Sequence, residues 1–343
     1  MATNADSRLQ PRPSAAMRLL KILVWTVVVV AILWTVAWFA AAGYVERQFE
    51  ERTATLAREG RADIACGRHD VTGFPLRFRF VCDEDVAVET DRAEVALASL
   101  DAHASLLAPS TIHGSAVGPA NLVLPDGGMV MASWDGADLT VRDAFDRRSF
   151  QFDLSAFQID APRIDLAGSF ARFALRPKAA DLLIELDARG VSVIPEGSAT
   201  GELSEVFADI TLEGLHRRLL VLGRPFEPAN GLNGTITTLG LEADGGGRMS
   251  VSGPFSVSPD GLISGDFLIA VRDPESLAQP LADLTGRSTE ITGALTALEA
   301  LGQPRTIGGE EMRAIELSAR NGKLPLGFIT IDLPRVWQPP EGS

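Results

Sequence analysis

The feature that most constrains this chain is a run of 23 residues without a charge, Ile22 to Tyr44 (ILVWTVVVVAILWTVAWFAAAGY). It is apolar all round, so it has no polar face to turn to water as a surface helix of a soluble core does. At 1.5 Å per residue a helix of this length reaches about 34 Å, enough for the ~30 Å hydrocarbon layer of a bilayer. Arg8, Arg12, Arg18 and Lys21 precede the run, and the mixed cluster Glu46, Arg47, Glu50, Glu51 and Arg52 follows it. Positive charge on the leading side places the N-terminus in the cytoplasm and everything after Tyr44 outside. The expectation is a basic cytoplasmic tail (1–21) and one transmembrane helix (22–44), with Trp25 anchoring its inner end and Trp38 and Tyr44 its outer end. A second reading stays open, because Ala40-Ala41-Ala42 ahead of Gly43 resembles a signal-peptide cleavage site. The uncharged run is longer than the usual apolar region of a signal peptide, which favours a retained anchor. Both readings export the same domain.

Export decides how the cysteines are read. In an oxidising compartment Cys66 and Cys82, the two in the chain, are expected to pair, and closing a loop of that size is worth about 3 kcal/mol in the chain-entropy model. Cys66, His69 and Asp70 also make a conceivable metal cluster, but a convincing fourth ligand is missing. The formal charge is −14, and subtracting the basic N-terminus leaves −17 on the other 298 residues. Such a surface repels phosphate, so nucleic acid is not an expected partner. The chain carries no G-x-S-x-G, P-loop, dinucleotide fingerprint, H-E-x-x-H or C-x-x-C. No catalytic residue, metal ligand or cofactor is therefore assigned. A triad assembled by the fold stays open, which leaves a periplasmic hydrolase as the last-ranked function.

After Tyr44, residues 45–60 are rich in helix formers and end in Gly60, which predicts a helical stalk. Beyond it the hydrophobic period becomes two, in Leu76–Cys82, Phe150–Ile159, Ile164–Leu166, Ala171–Arg176, Ile184–Asp187, Val206–Glu213, Thr235–Ala243, Ser250–Val257 and Phe267–Val271. Turn clusters punctuate them: Pro125-Asp-Gly-Gly128, Pro195-Glu-Gly197, Ala243-Asp-Gly-Gly-Gly247 and Pro259-Asp-Gly261. Short helices are expected over Asp273–Leu284 and Ala294–Leu301, an insertion near residues 274–302. The predicted fold class is mainly β, with extended, curved antiparallel sheet or sheets and a few short helices, preceded by the membrane helix. The β-rich domain spans 61–335, with a flexible tail at 336–343.

Alternation also sorts the side chains. Asp153, Asp160, Asp165, Glu185 and Asp187 fall on a solvated sheet face. Phe78, Phe80, Phe150, Phe152, Phe157 and Phe173, with Phe74 and Phe170, are left to fill a core between two sheets or to line a groove open to an acyl chain. Few helices are available to cover such a face.

The anchor, the stretch Gly73-Phe-Pro-Leu-Arg-Phe78 between the cysteines, the hairpin Gly253–Gly265 and the terminal Gly322-Lys-Leu-Pro-Leu-Gly327 with Leu333-Pro334 together resemble the family catalogued as domain of unknown function two-one-two-five. The resemblance covers most of residues 20–335. It implies an inner-membrane protein of the Gram-negative envelope with its main domain in the periplasm. More loosely, the strand–turn units are similar to AsmA- and TamB-type proteins, whose curved sheets form a lipid-accommodating groove. Neither likeness supplies a catalytic residue. The expected function is to bind or relay a hydrophobic, lipid-like ligand or to support envelope assembly, with other envelope proteins as further partners. A non-enzymatic interaction scaffold without a groove is the alternative.

Overall fold

A helix that is apolar all round and then turns polar without a breaker has no reason to stop at the change. In the computed structural model, helix α1 (Ala15–Arg58) runs unbroken for 44 residues through both segments. It closes at Gly60, whose φ of 64° lets its N–H return to the Ala57 carbonyl. Among the described residues α1 is the one helix long and apolar enough to cross a membrane. The structure describes residues 15–337 except 61, 91–92, 125–126, 144–147, 163, 196–198, 222–229 and 327–328. Residues 1–14 of the predicted basic tail, 338–343 of the predicted flexible tail, the Pro125-Asp126 and Glu196-Gly197 positions of two predicted turns, and Phe328 lie outside the described residues.

Among the described residues, sixteen strands follow in one antiparallel sheet. They are β1 (Asp63–Ala65), β2 (Arg68–Thr72), β3 (Arg77–Glu89), β4 (Glu94–Ser105), β5 (Ala108–Val123), β6 (Met129–Ser133), β7 (Gly136–Arg142), β8 (Ser149–Ala161), β9 (Ile164–Lys178), β10 (Asp181–Pro195), β11 (Gly201–Leu212), β12 (Leu232–Glu242), β13 (Arg248–Val257), β14 (Ile263–Arg272), β15 (Gln303–Ile307) and β16 (Glu310–Ala319). A separate pair, β17 (Lys323–Leu326) and β18 (Ile329–Asp332), ends the fold. The sheet is a meander in which most strands pair with the next in sequence. The short β6 and β7 lie end to end, each bridging β5 to β8. A disulfide between Cys66 and Cys82, with Cα atoms 5.8 Å apart, fastens the β1–β2 turn to β3.

The two readings of the phenylalanines required either two facing sheets or one open sheet. One large sheet is what forms.

Helices α2 (Pro274–Thr285) and α3 (Ser288–Leu301) cover part of that sheet. Leu277, Leu281 and Leu295 are buried against Ala243 and Val271, with Leu241 and Met249 beside them. Leu284 reaches a second cluster of Ala188, Val191 and Leu203. Helix α3 begins six residues before the predicted Ala294. Its first turns contain Thr289, Ile291, Thr292 and Gly293, poor helix formers. Packing decides instead, since Ile291, Leu295 and Leu298 recur at i, i+4 and i+7 and all meet the core.

Candidate functional site

In an antiparallel sheet, directly opposed residues point to the same face. The register can therefore be followed across the sheet strand by strand. One row reads Phe78, Ala104, Ile112, Val141, Phe150, Leu175, Ile184, Ile210, Ile236 from β3 to β12. The parallel row two residues away reads Phe80, Ala102, Gly114, Leu139, Phe152, Phe173, Leu186, Ala208, Leu239. No polar side chain interrupts either row, over a width of about 38 Å at ~4.8 Å per strand.

The intervening row, on the opposite face, reads Arg79, His103, His113, Thr140, Gln151, Ala174, Glu185, Asp209. Ion pairs tie this face together across strands: Arg79 with Asp101, Arg172 with Asp153 at 2.6 Å, and Arg176 with Glu185 at 2.9 Å. Arg248 lies over the Phe207 ring, 4.5 Å from its centroid. His103 and His113 stack at 5.3 Å, but no group of three or more potential metal ligands exists among the described residues.

The apolar face is covered at its two ends and open between them. At one end α1 packs on β2 and β3: Trp38 stacks on Phe78 at 5.5 Å, and Phe49 meets Phe80 at 4.6 Å. At the other, α2 and α3 lie over β10 to β14. In the middle Leu100, Ile112, Leu139 and Phe173 are 36 to 40% exposed, large values for aliphatic and aromatic side chains on one face of a sheet.

Phe78, Phe80, Phe150, Phe152 and Phe173 thus share the face. Phe157 does not continue the rows: it follows Ala156, whose φ is +44°, and is buried opposite Gly168. Phe170 lies on the charged face, where Arg172 covers its ring. Of the aromatic residues assigned to the membrane interfaces, Trp25 and Tyr44 are exposed on α1, whereas Trp38 is buried against the β2–β3 hairpin. Sequence reasoning missed Leu100, Ile112, Leu139 and Val141, which belong to strands rich in Ala, Gly and Ser. For Leu139 and Val141 the signal was present as the alternation of Asp138-Leu-Thr-Val141.

Fold and face together define a single-sheet protein with one apolar and one charged side, joined at one edge to a long apolar helix. The chain belongs to the bacterial family described as "Uncharacterized protein conserved in bacteria (DUF2125)", whose profile matches residues 38–332. No curated protein and no solved structure matches it.

Proposed function

We propose that this chain is an inner-membrane protein whose sheet, held in the periplasm, carries an acyl chain or similar lipid-like ligand along its apolar face. The observation that carries the reading is the pair of uninterrupted apolar rows left open between α1 and α2–α3. A face of this kind must meet another sheet, a helix or a ligand, and among the described residues nothing covers its centre. Removing even ~200 Å² of acyl surface from water supplies about 5 kcal/mol before binding losses. The helix that holds the sheet beside lipid abuts the first residue of the row, Phe78, through Trp38. The basic residues preceding the helix support this orientation. The looser likeness to AsmA- and TamB-type sheets belongs to the same proposal.

Site-specific photocrosslinking in cells tests it. A photoreactive residue at Phe173 should form a lipid adduct, while one at the neighbouring Arg172, on the charged face, should not. A protein adduct at Phe173 would assign the face to an interaction scaffold. Equal lipid labelling at both positions would remove the groove.

A further inference from the structure

We infer that the tip of the β2–β3 hairpin, Gly73-Phe-Pro-Leu-Arg77, together with Leu107 at the β4–β5 turn, enters the lipid of the membrane that α1 crosses and forms a second membrane contact. The inference rests on the anchor reading above and extends it.

Two hydrogen bonds fix the depth. The Trp34 indole N–H donates to the Pro75 carbonyl at 3.1 Å, and that of Trp38 to the Arg77 carbonyl at 3.2 Å. Trp34 stands ten residues before Tyr44, about 15 Å along the helix. A bilayer whose hydrocarbon ended at Tyr44 would therefore contain the whole tip. The tip is built for part of that depth. Phe74 and Leu76 are about half exposed and Leu107 is 83% exposed. Phe74 lies edge-on to Trp38 at 5.6 Å and parallel to Phe39 at 6.2 Å, so hairpin and helix present one continuous aromatic surface.

Lipid-exposed irregular backbone does not occur within the hydrocarbon itself, so the tip sits at its boundary, where polar groups paired inside the protein lower the cost of leaving water. Here the Arg77 N–H donates to the Gly73 carbonyl at 3.0 Å and the Leu106 N–H to the Leu76 carbonyl at 2.9 Å, while Pro75 has no N–H to satisfy. With the two indole bonds, the carbonyls of Gly73, Pro75, Leu76 and Arg77 each accept a hydrogen bond from within the protein. Gly73 is required for this closure: its φ is +103°, and a Cβ there would stand 2.7 Å from the Arg77 carbonyl oxygen. Arg77 and Arg79, at the start of β3, mark where polar surface must resume. The outer hydrocarbon boundary thus falls near Trp38, inward of Tyr44, which leaves the 17 residues from Ile22 to Trp38, about 25 Å of helix, to span, and the aromatic belt of the outer leaflet comprises Trp34, Trp38, Phe39 and Phe74.

The full chain reconstituted in phosphatidylcholine–phosphatidylglycerol vesicles tests this. The native cysteines are paired, so a maleimide fluorophore reports on one introduced thiol at a time: Leu107→Cys at the tip, Ala93→Cys at the far end of the same strands, or Val29→Cys within α1. The expected result is quenching by brominated lipid at 29 and 107 and by aqueous iodide at 93. Brominated-lipid quenching at 29 alone, with 107 open to iodide, overturns the second contact and leaves the anchor standing. Iodide quenching at 29 overturns the anchor itself and the inference with it.

Discussion

Replacing Leu139 and Phe173 together by aspartate puts two carboxylates into the middle of the open apolar rows. The two residues flank Phe152 in one register row, so the new charges stand about 10 Å apart across two strand spacings. Leu139 is 38% and Phe173 40% exposed. Each has therefore lost roughly 60% of its accessible surface on folding. Scaling the ~1.5–3 kcal/mol of a fully buried large apolar side chain by that fraction gives about 1–2 kcal/mol of stability lost per site. The cost to a bound acyl chain is larger, because methylene groups must now sit against carboxylates that keep their water or lose it at a cost of several kcal/mol. Taking only ~3 kcal/mol, affinity falls by about a hundredfold.

The assay is lipid extraction and mass spectrometry of the full chain purified from membranes, beside guanidinium unfolding of the same preparations. Thr140→Asp is the control: it adds a carboxylate one residue away, on the charged face, and should leave the lipid content unchanged. Retention of wild-type lipid levels by a folded Leu139→Asp/Phe173→Asp variant would refute the reasoning, as would equal loss in Thr140→Asp.

Replacing Cys66 and Cys82 by serine should lower stability by about 3 kcal/mol, the loop-entropy value, read from the urea midpoint, and unreduced wild-type protein should yield no alkylatable thiol. Leu277→Ala, at a fully buried position on the sheet-facing side of α2, should cost about 2–5 kcal/mol by denaturant unfolding and detach α2 before the sheet, seen as early loss of exchange protection in residues 274–285. Asp266 accepts a hydrogen bond from the Ser318 hydroxyl at 2.6 Å and one from Arg320 at 2.8 Å, and these hold its carboxyl below the ordinary aspartate value. A depressed carboxyl stabilises the fold above that ordinary value, about 3.9, and the contribution fades as pH falls through the folded value. An NMR titration of Asp266 should therefore show a midpoint below 3.9, moving upward in Ser318→Ala.

The legible part of this fold is the part written in strong alternation. Phe150-Gln-Phe-Asp-Leu and Ala171-Arg-Phe-Ala-Leu are strands with their faces already assigned, and β8 and β9 pair with those phenylalanines on one side. The segment from Glu94 to Arg142 gave almost no such signal, yet it forms β4 to β7. Nearly half of its apolar positions are Ala or Gly, which have low strand propensity and weak hydrophobic contrast. These strands form because both neighbours supply pairing partners. Face membership beyond the Ala156 and Gly190 kinks was equally hidden, since a positive φ inside a strand interrupts simple alternation. The choice between a sandwich and a single sheet is not local at all, because both satisfy the same period of two. The disulfide, by contrast, needed only export and a cysteine count.

The small residues that concealed β4 and β5 also shape the face they build. In the row containing Phe80 and Leu139, the two intervening positions are Ala102 and Gly114, and in the adjacent row Phe78 is followed by Ala104. Between the α1-covered hairpin and the Leu139–Phe152 ridge the floor is therefore low at Ala102, Ala104, Gly114 and Ala116, a trough on β4 and β5 flanked on the same face by Ile112 at one end and Leu100 at the other. Gly114 tests whether the trough matters. Its backbone is not in the left-handed region, and an added Cβ would meet nothing nearer than the Asp101 carbonyl oxygen at 3.5 Å and Leu139 Cβ at 3.7 Å, ordinary contact distances. Gly114→Leu should therefore fold, and replacing glycine inside a strand should leave stability unchanged or raise it by up to ~1 kcal/mol. The isobutyl group would fill the trough opposite Phe80. If an acyl chain lies along β4 and β5, the variant loses bound lipid despite its added apolar surface. If the face binds lipid only by its total hydrophobicity, lipid content rises instead, and that rise would dismiss the trough.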